Sequence, residues 1–173
     1  MLAVFADTHS ARGHELEGAA LNAATEAEAV IHAGDFTSQS ALEAFKERCP
    51  VFYPVHGNAD NYIVTEALPT TRTVEYKGLT IAVTHRRDGG DTGLAMFGRA
   101  QNADIVVSAH THRPRILELE DVVLLNPGSH AQPRGNRPGF ATVERRDDSF
   151  DVRLQTPSGE PIDSLTLEGE RLE

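Results

Sequence analysis

Five runs of apolar residues each give way to a short polar station, and no other feature constrains this chain so tightly. The runs are Leu2–Phe5, Ala29–Ile31, Val51–Phe52, Leu79–Val83 and Ile105–Val107. The stations are Asp7-Thr8-His9, Gly34-Asp35, Gly57-Asn58-Ala59-Asp60, Thr84-His85 and His110-Thr111-His112. Short apolar runs bounded by turn residues read as buried strands. In an open α/β sheet, active sites gather outside the carboxyl ends of strands. Aspartate, asparagine and neutral imidazole are the ligand set that holds divalent metals side by side. A chain that puts such side chains after strand upon strand lays out one site from distant segments.

The intervening segments read as helices and hairpins. Gly13 to Glu28 is rich in alanine, leucine and glutamate and predicts a helix. Ser38 to Arg48 has a capped start, carries Leu42 and Phe45 on one face, and is stopped by Pro50. Val51 to Val55 is then a third strand. The order β-α-β-α-β implies parallel strands covered by helices. In the second half, Thr71–Tyr76 and Leu79–Val83 alternate around Lys77-Gly78, a hairpin signal. Gly93 to Asn102 predicts a helix and Ile105 to Ser108 a strand. Arg115–Glu118 and Val122–Leu125 flank a turn at Glu120-Asp121, and Phe140–Glu144 and Phe150–Leu154 flank one at Asp147-Asp148. From Pro157 onward the chain reads as a polar strand or a loose tail. With 173 residues, no internal repeat and no low-complexity linker, the expectation is a single domain over 1–173.

Composition excludes several function classes. No apolar stretch is long enough to cross a membrane, and the start through Asp7 reads as a first strand rather than a signal peptide. Cys49 is the one cysteine, which rules out an internal disulfide and fits a reducing cytoplasm. A formal charge of −10 argues against stable nucleic-acid binding and against anionic lipid. Lys46 and Lys77 are the only lysines, every other base being arginine. This acid-rich, lysine-poor and aromatic-poor composition resembles that of proteins from salt-loving (halophilic) microbes.

Asp7 and His9 lie two apart, as do His110 and His112, so at a strand end each pair points its side chains the same way. Alone, either pair is commonly a surface polar pair, and Gly34-Asp35 is a common turn. The ordered set of five carries the specificity. It resembles the calcineurin-like metallophosphoesterase superfamily, whose signature runs D-x-H, G-D, G-N-x-D, H and H-x-H. In length and in its G-N-x-D form it is similar to the small single-domain, YfcE-like phosphodiesterase branch. The resemblance runs from Asp7 to about Arg134, where Asn126-Pro127-Gly128-Ser129 and Pro133-Arg134 also match.

The resemblance implies a metallophosphatase fold of the α/β class (α+β in some schemes). That fold is a four-layer α/β/β/α sandwich of two mixed sheets with helices outside. It implies two divalent metals, the first held by Asp7, His9, Asp35 and His112. The second is held by Asp35, Asn58, His85 and His110, with Asp35 bridging. Manganese is expected to support activity in vitro, and nickel, iron, cobalt or zinc suit the same ligands. The implied catalytic residues are Asp35, Asn58, Asp60 and His85, with Asn58, Arg86, Arg87 and Arg134 toward substrate. The implied activity is hydrolysis of a small or nucleotide-like phosphodiester by a metal-bridging hydroxide. The alternatives are a phosphomonoesterase, a nuclease as in larger relatives, or a protein-binding scaffold such as the retromer subunit of this fold. Scaffold relatives break the ligand set, whereas every ligand position is filled here. Expected partners are a small-molecule phosphoester and further copies of the chain, as a homodimer or tetramer.

The chain also departs from the pattern. Ala59 stands where many relatives have histidine and the small branch often has cysteine, and it cannot protonate a leaving group. Asp60 beside it either caps the loop through backbone amides or acts in catalysis. Arg86, Arg87 and Asp88 follow His85, where glycine is common. Arginines there either clamp phosphate or pair with surface carboxylates, and Arg134 carries the same ambiguity. Ala109 replaces a glycine, which is tolerated if its φ is negative. His32 is expected to be buried and to orient a ligand. His56 is expected near substrate or supporting its loop, and Asn126–Ser129 is expected to brace the site floor. His14 and His130 carry no assigned role. With no proton donor at position 59, rates across a series of aryl esters should fall steeply as the leaving phenol becomes more basic. A flat dependence would show that another group protonates it.

Overall fold

The computed structural model describes residues 1–168. The first half runs β1 (Leu2–Phe5), α1 (Gly18–Glu26), β2 (Ala29–His32), α2 (Gln39–Arg48), β3 (Phe52–Pro54) and α3 (Tyr62–Ala67). The second half opens with β4 (Thr71–Tyr76), β5 (Leu79–Thr84), α4 (Gly90–Ala100) and β6 (Ile105–Val107). It ends with β7 (Arg115–Glu118), β8 (Val123–Asn126), β9 (Phe140–Arg146), β10 (Ser149–Gln155) and β11 (Pro161–Glu168).

β1 explains the architecture. All four of its residues are buried, and alternate side chains enter different cores. Leu2 and Val4 face the second sheet, and Ala3 and Phe5 face the helices. A strand covered on both sides has no polar face, hence the unbroken apolar run. β1, β2 and β3 pair in parallel, as the β-α-β-α-β order requires. The chain then crosses to a second sheet, ordered β4-β5-β6-β8-β7, before β9 returns antiparallel beside β1. The first sheet therefore reads β11-β10-β9-β1-β2-β3, and both sheets are mixed.

Three apolar clusters define the layers. The largest lies between the sheets, with Val4 and Ile31 from one and Ile81, Val83 and Leu125 from the other. A second joins Phe5 and Val30 to Ala20, Ala24, Leu42 and Phe45 of α1 and α2. A third joins Ala82, Val106 and Leu124 to Ala95, Leu94 and Phe97 of α4. The fold is a four-layer α/β/β/α sandwich of two mixed sheets with helices outside. Among the described residues, no helix is long and apolar enough to cross a membrane.

Element boundaries differ from the sequence expectations for local reasons. The first helix starts at Gly18 rather than Gly13, because Gly13, Glu15 and Gly18 all adopt positive φ and interrupt a right-handed helix. α4 starts at Gly90 rather than Gly93 and ends at Ala100, and Asn102 takes φ 50°. β3 is shorter than expected, and β8 begins one residue later. α3 was not foreseen. Its six residues are too few for a periodic signal, although Asn61 caps it by accepting from the Val64 amide at 3.0 Å. Of the two options for the terminal stretch, Pro161–Glu168 forms a strand paired with β10, and 169–173 lie outside the described residues.

α4 approaches the second sheet through Gly98, where an added Cβ would sit 2.6 Å from Val106 Cγ2 and 3.1 Å from Val122 Cγ2. Gly98→Ala sets a helix-propensity gain of about 1 kcal/mol against an overpacking cost of about 1–3 kcal/mol. The variant should unfold at lower denaturant. A gain in stability would show that the helix does not seat this closely.

Candidate metal centre

The stations fall at the same end of both sheets. Asp7 and His9 follow β1, Asp35 follows β2 and Asn58 follows β3. His85 follows β5, and His110 and His112 follow β6. The pairs do not converge by strand alternation as expected, because β1 stops at Phe5 and β6 at Val107. Instead, Asp7, His9, Asp35, His110 and His112 adopt left-handed backbone, with φ of 52°, 45°, 61°, 75° and 59°. Residues other than glycine enter that region at a cost, and Asp, Asn and His do so most readily. Ala109 is not among the positive-φ residues, as its tolerance required.

Loop-to-loop hydrogen bonds hold these turns. Asp7 N donates to Gly34 O at 2.9 Å, His9 N to Asp35 O at 3.0 Å and Ser10 N to Phe36 O at 3.1 Å. The loops after β2 and β3 touch at Gly57, where a Cβ would fall 2.1 Å from Asp35 Oδ1, so only glycine fits. Ser129 Oγ donates to Asp7 O at 2.6 Å, and the Asn126 amide to Ala109 O at 3.2 Å. The Asn126–Ser129 segment thus braces the floor, as expected. His32 is fully buried, which keeps it neutral, its proton affinity well below the ordinary value. Its Nδ1 accepts from Gly34 N, so Nε2–H donates to Thr8 Oγ1 at 2.8 Å, between Asp7 and His9.

Two groups of ligand atoms result, Asp7, His9 and His112 in one and Asp35, His85 and His110 in the other. Within each, the candidate atoms lie within 4.8 Å of one another. Asp35 Oδ2 stands between them, 3.2 Å from both His9 Nε2 and His85 Nε2. Asn58 Oδ1 lies 3.1 Å from His85 Nε2 and extends the second group. Two tautomers follow from backbone acceptors. His85 Nδ1–H donates to Ala33 O at 2.8 Å and His112 Nδ1–H to Gln132 O, leaving each Nε2 lone pair turned inward.

Those lone pairs face oxygens that also carry lone pairs. Asp7 Oδ1, His9 Nε2 and His112 Nε2 are buried without a hydrogen-bond partner. Buried polar atoms left unsatisfied are costly, and divalent cations would satisfy all of them together. The donor set therefore fits a pair of metals. Burial pushes the Asp7 carboxyl up to about 6. Burial also works to raise Asp35, but the His85 and His9 rings and the Ala59 amide outweigh it and hold Asp35 well below the usual carboxylate range. Burial lowers His110 and His112. His85 is raised, since Asp35 and Asp7 overcome its burial.

Other expected residues play different parts. Asp60 makes the contacts of the loop-capping alternative. Its carboxylate accepts from Gly57 N at 2.7 Å, Thr37 N at 2.7 Å and Asp35 N at 3.0 Å, which occupies both oxygens. Ala59 contributes its backbone amide to Asp35 Oδ1 at 2.8 Å. His56 supports its own loop, bonding Gly57 O and Thr70 Oγ1. His130 donates from Nε2 to His14 O. Arg86 and Arg134 lie near enough to disfavour protonation of His110. Arg87 sits over the Phe97 ring, 4.2 Å from its centroid. Among the described residues, none of these three arginines makes an ion pair, so the carboxylate-pairing alternative is not met. The backbone acceptors Ala33 O and Gln132 O escaped sequence reasoning, since a carbonyl has no residue signature.

The sequence profile of the calcineurin-like phosphoesterase superfamily domain matches residues 1–148. A probable metallophosphoesterase of Methanothermobacter thermautotrophicus is 34% identical over 166 residues, covering 94% of this chain and 95% of that protein. Among solved structures, zinc-complexed Vps29 from Entamoeba histolytica superposes with a TM-score of 0.77 at 19% identity, over 97% of this chain and 98% of that one. A novel archaeal phosphodiesterase superposes with a TM-score of 0.66 at 20% identity, over 89% and 99%. At those identities the two structures bear on the fold.

The buried Asp7 makes a prediction for the metal-free chain. It titrates near 6 folded against 3.8 ordinarily, so between these values the folded chain holds a proton that the unfolded chain has lost. The Asp7 contribution to metal-free stability should fall as pH rises from about 4 to about 6 and stay low above that, while His32, His110, His112 and His130, whose proton affinity burial lowers, contribute in the opposite sense. At pH 7.5 with chelator, Asp7→Asn should therefore be more stable than the parent by roughly 1–3 kcal/mol. It should also lose the rise in melting temperature that manganese confers. Melting below the parent in chelator would contradict the assignment.

Proposed function

This chain belongs to the calcineurin-like phosphoesterase superfamily, and we propose that it is a metal-dependent phosphodiesterase acting on a small or nucleotide-like phosphate ester. The observation that carries the reading is the pair of ligand groups meeting at Asp35, with Asp7 Oδ1 and His112 Nε2 buried and without a hydrogen bond. Asp7, His9, Asp35 and His112 would hold one ion, and Asp35, Asn58, His85 and His110 the other. Two divalent cations there supply Lewis acidity and an acidified water as nucleophile. Manganese is the proposed activator in vitro.

The side chains divide the remaining work. Asp35, held ionised by its neighbours, is the ligand common to both positions. Only two carboxylates join the set, Asn58 and the imidazoles being neutral ligands, so a pair of dications would keep net positive charge toward an ester. Asn58 also has an amide NH₂ free to donate to a phosphate oxygen once its Oδ1 is engaged. Arg86 and Arg134 add positive potential at the rim of an otherwise acidic protein. His85 has its Nδ1 proton committed to Ala33 O, and Asp60 is taken up by amides, so neither is poised to protonate a leaving group. That supports a preference for esters of acidic alcohols.

The alternative is a protein-binding scaffold of the same fold, as the similarity to Vps29 raises. The complete ligand set supports catalysis over it. The test is hydrolysis of bis-p-nitrophenyl phosphate and p-nitrophenyl phosphate with manganese, with and without chelator, at low and high salt. Diester turnover should at least match monoester turnover and vanish with chelator. Asp35→Asn should lower the rate by about 100-fold or more and reduce the bound metal. Full rate and metal content in that variant would refute the bridging role, and metal uptake with no turnover of either ester would favour the scaffold.

A further inference from the structure

Beside the metal centre, on the His110 side, opens a cavity of about 480 Å³. Two segments line it with arginine, the β5–α4 loop through Arg86 and Arg87, and the chain after His112 through Arg113 and Arg115. The protein has 16 basic residues against 26 acidic ones, so four arginines on one cavity reverse the balance of the rest of the surface.

Their states differ. Arg115 is fixed by a two-pronged salt bridge to Asp91 in the first turn of α4, at 2.9 and 2.8 Å. The Phe97 ring orients Arg87. Arg86 and Arg113 make no ion pair among the described residues, a state they share with Arg12, Arg48, Arg72, Arg134 and Arg145. What sets Arg86 and Arg113 apart from the other arginines without ion pairs is that they stand on one cavity beside the ligand groups. Asp88 and Asp91 also line the cavity. Set against four arginines, they leave an excess of two positive charges, the charge of one phosphate dianion. The cavity is larger than a phosphate needs, and Leu94 and Leu124 give it an apolar flank suited to a sugar or base.

We propose that this cavity binds a second phosphate of the substrate through Arg86 and Arg113. The ester cleaved at the metal centre would then belong to the class carrying another phosphate a few bonds from the scissile one, such as a nucleoside bisphosphate ester. The choice of the scissile bond rests on the phosphoesterase reading, but binding in the cavity does not.

The experiment therefore has two arms. Equilibrium titration of the full chain, with manganese and again with chelator, compares adenosine 3′,5′-bisphosphate with adenosine 5′-monophosphate. The bisphosphate should bind about tenfold tighter or more, and the R86A/R113A double variant should bring the two within about twofold, with an unchanged melting temperature. In the manganese enzyme, a thymidine 5′-p-nitrophenyl phosphate bearing a 3′-phosphate should exceed its unphosphorylated parent in kcat/KM. The double variant should lose that advantage mainly through KM. Equal affinity for mono- and bisphosphate in the parent protein, or a preference that survives the double variant, overturns the proposal. So does an equally large preference for 3-phosphoglycerate over glycerol 3-phosphate, which would make the cavity a general anion site. Bisphosphate preference without hydrolysis of any ester sinks the phosphoesterase reading and leaves the cavity assignment standing. Hydrolysis without the preference does the reverse.

Discussion

The Asp35 carboxylate is the contact on which the site depends. It leaves the first sheet after β2 and meets His9 from β1 and His85 from the second sheet at the same oxygen, 3.2 Å from each. Its other oxygen accepts from the Ala59 amide in the loop after β3. One buried charge thus ties together four segments that are far apart in the chain. A carboxylate this deep is tolerable only because imidazoles and an amide surround it, and the same surroundings keep it ionised and able to take two cations.

Such convergence is strained. Five ligand residues sit in left-handed backbone, each at a cost of about 1–3 kcal/mol. The compensation comes from the loops around them. Asp60 gathers three amides, Ser129 and Asn126 hold the carbonyls of Asp7 and Ala109, and His32 ties Thr8 to Gly34. Aspartate and histidine suit these turns twice over, as candidate metal ligands and as residue types that accept a left-handed backbone. Gly34 and Gly57 let two loops touch where any side chain would collide.

Electrostatics then separates the protein from its site. The chain is strongly acidic, while the cavity beside His110 carries four arginines against two aspartates. The proposed second-phosphate cavity rests on this local excess of arginine over aspartate.

Much of this was legible in residue order. Apolar runs set the strands, turn residues set the hairpins, and Asp, Asn and His after successive strands announced a shared site. These are local properties, carried by side-chain polarity and by periodicities of a few residues. What escaped was non-local or too short. α3 has six residues, and the interruption before α1 depends on positive φ at Gly13 and Glu15. The three amide donors to Asp60 and the surroundings of the arginines come from distant segments and were not legible in residue order. The sign of φ at each ligand, the allocation of protons on His85 and His112, and the meeting of His110 N with Asp7 Oδ2 across 103 positions arise from contacts between distant segments. Sequence alone therefore determined which residues take part, and tertiary structure alone decided how they face one another, because direction and distance come from the loops packed around each side chain.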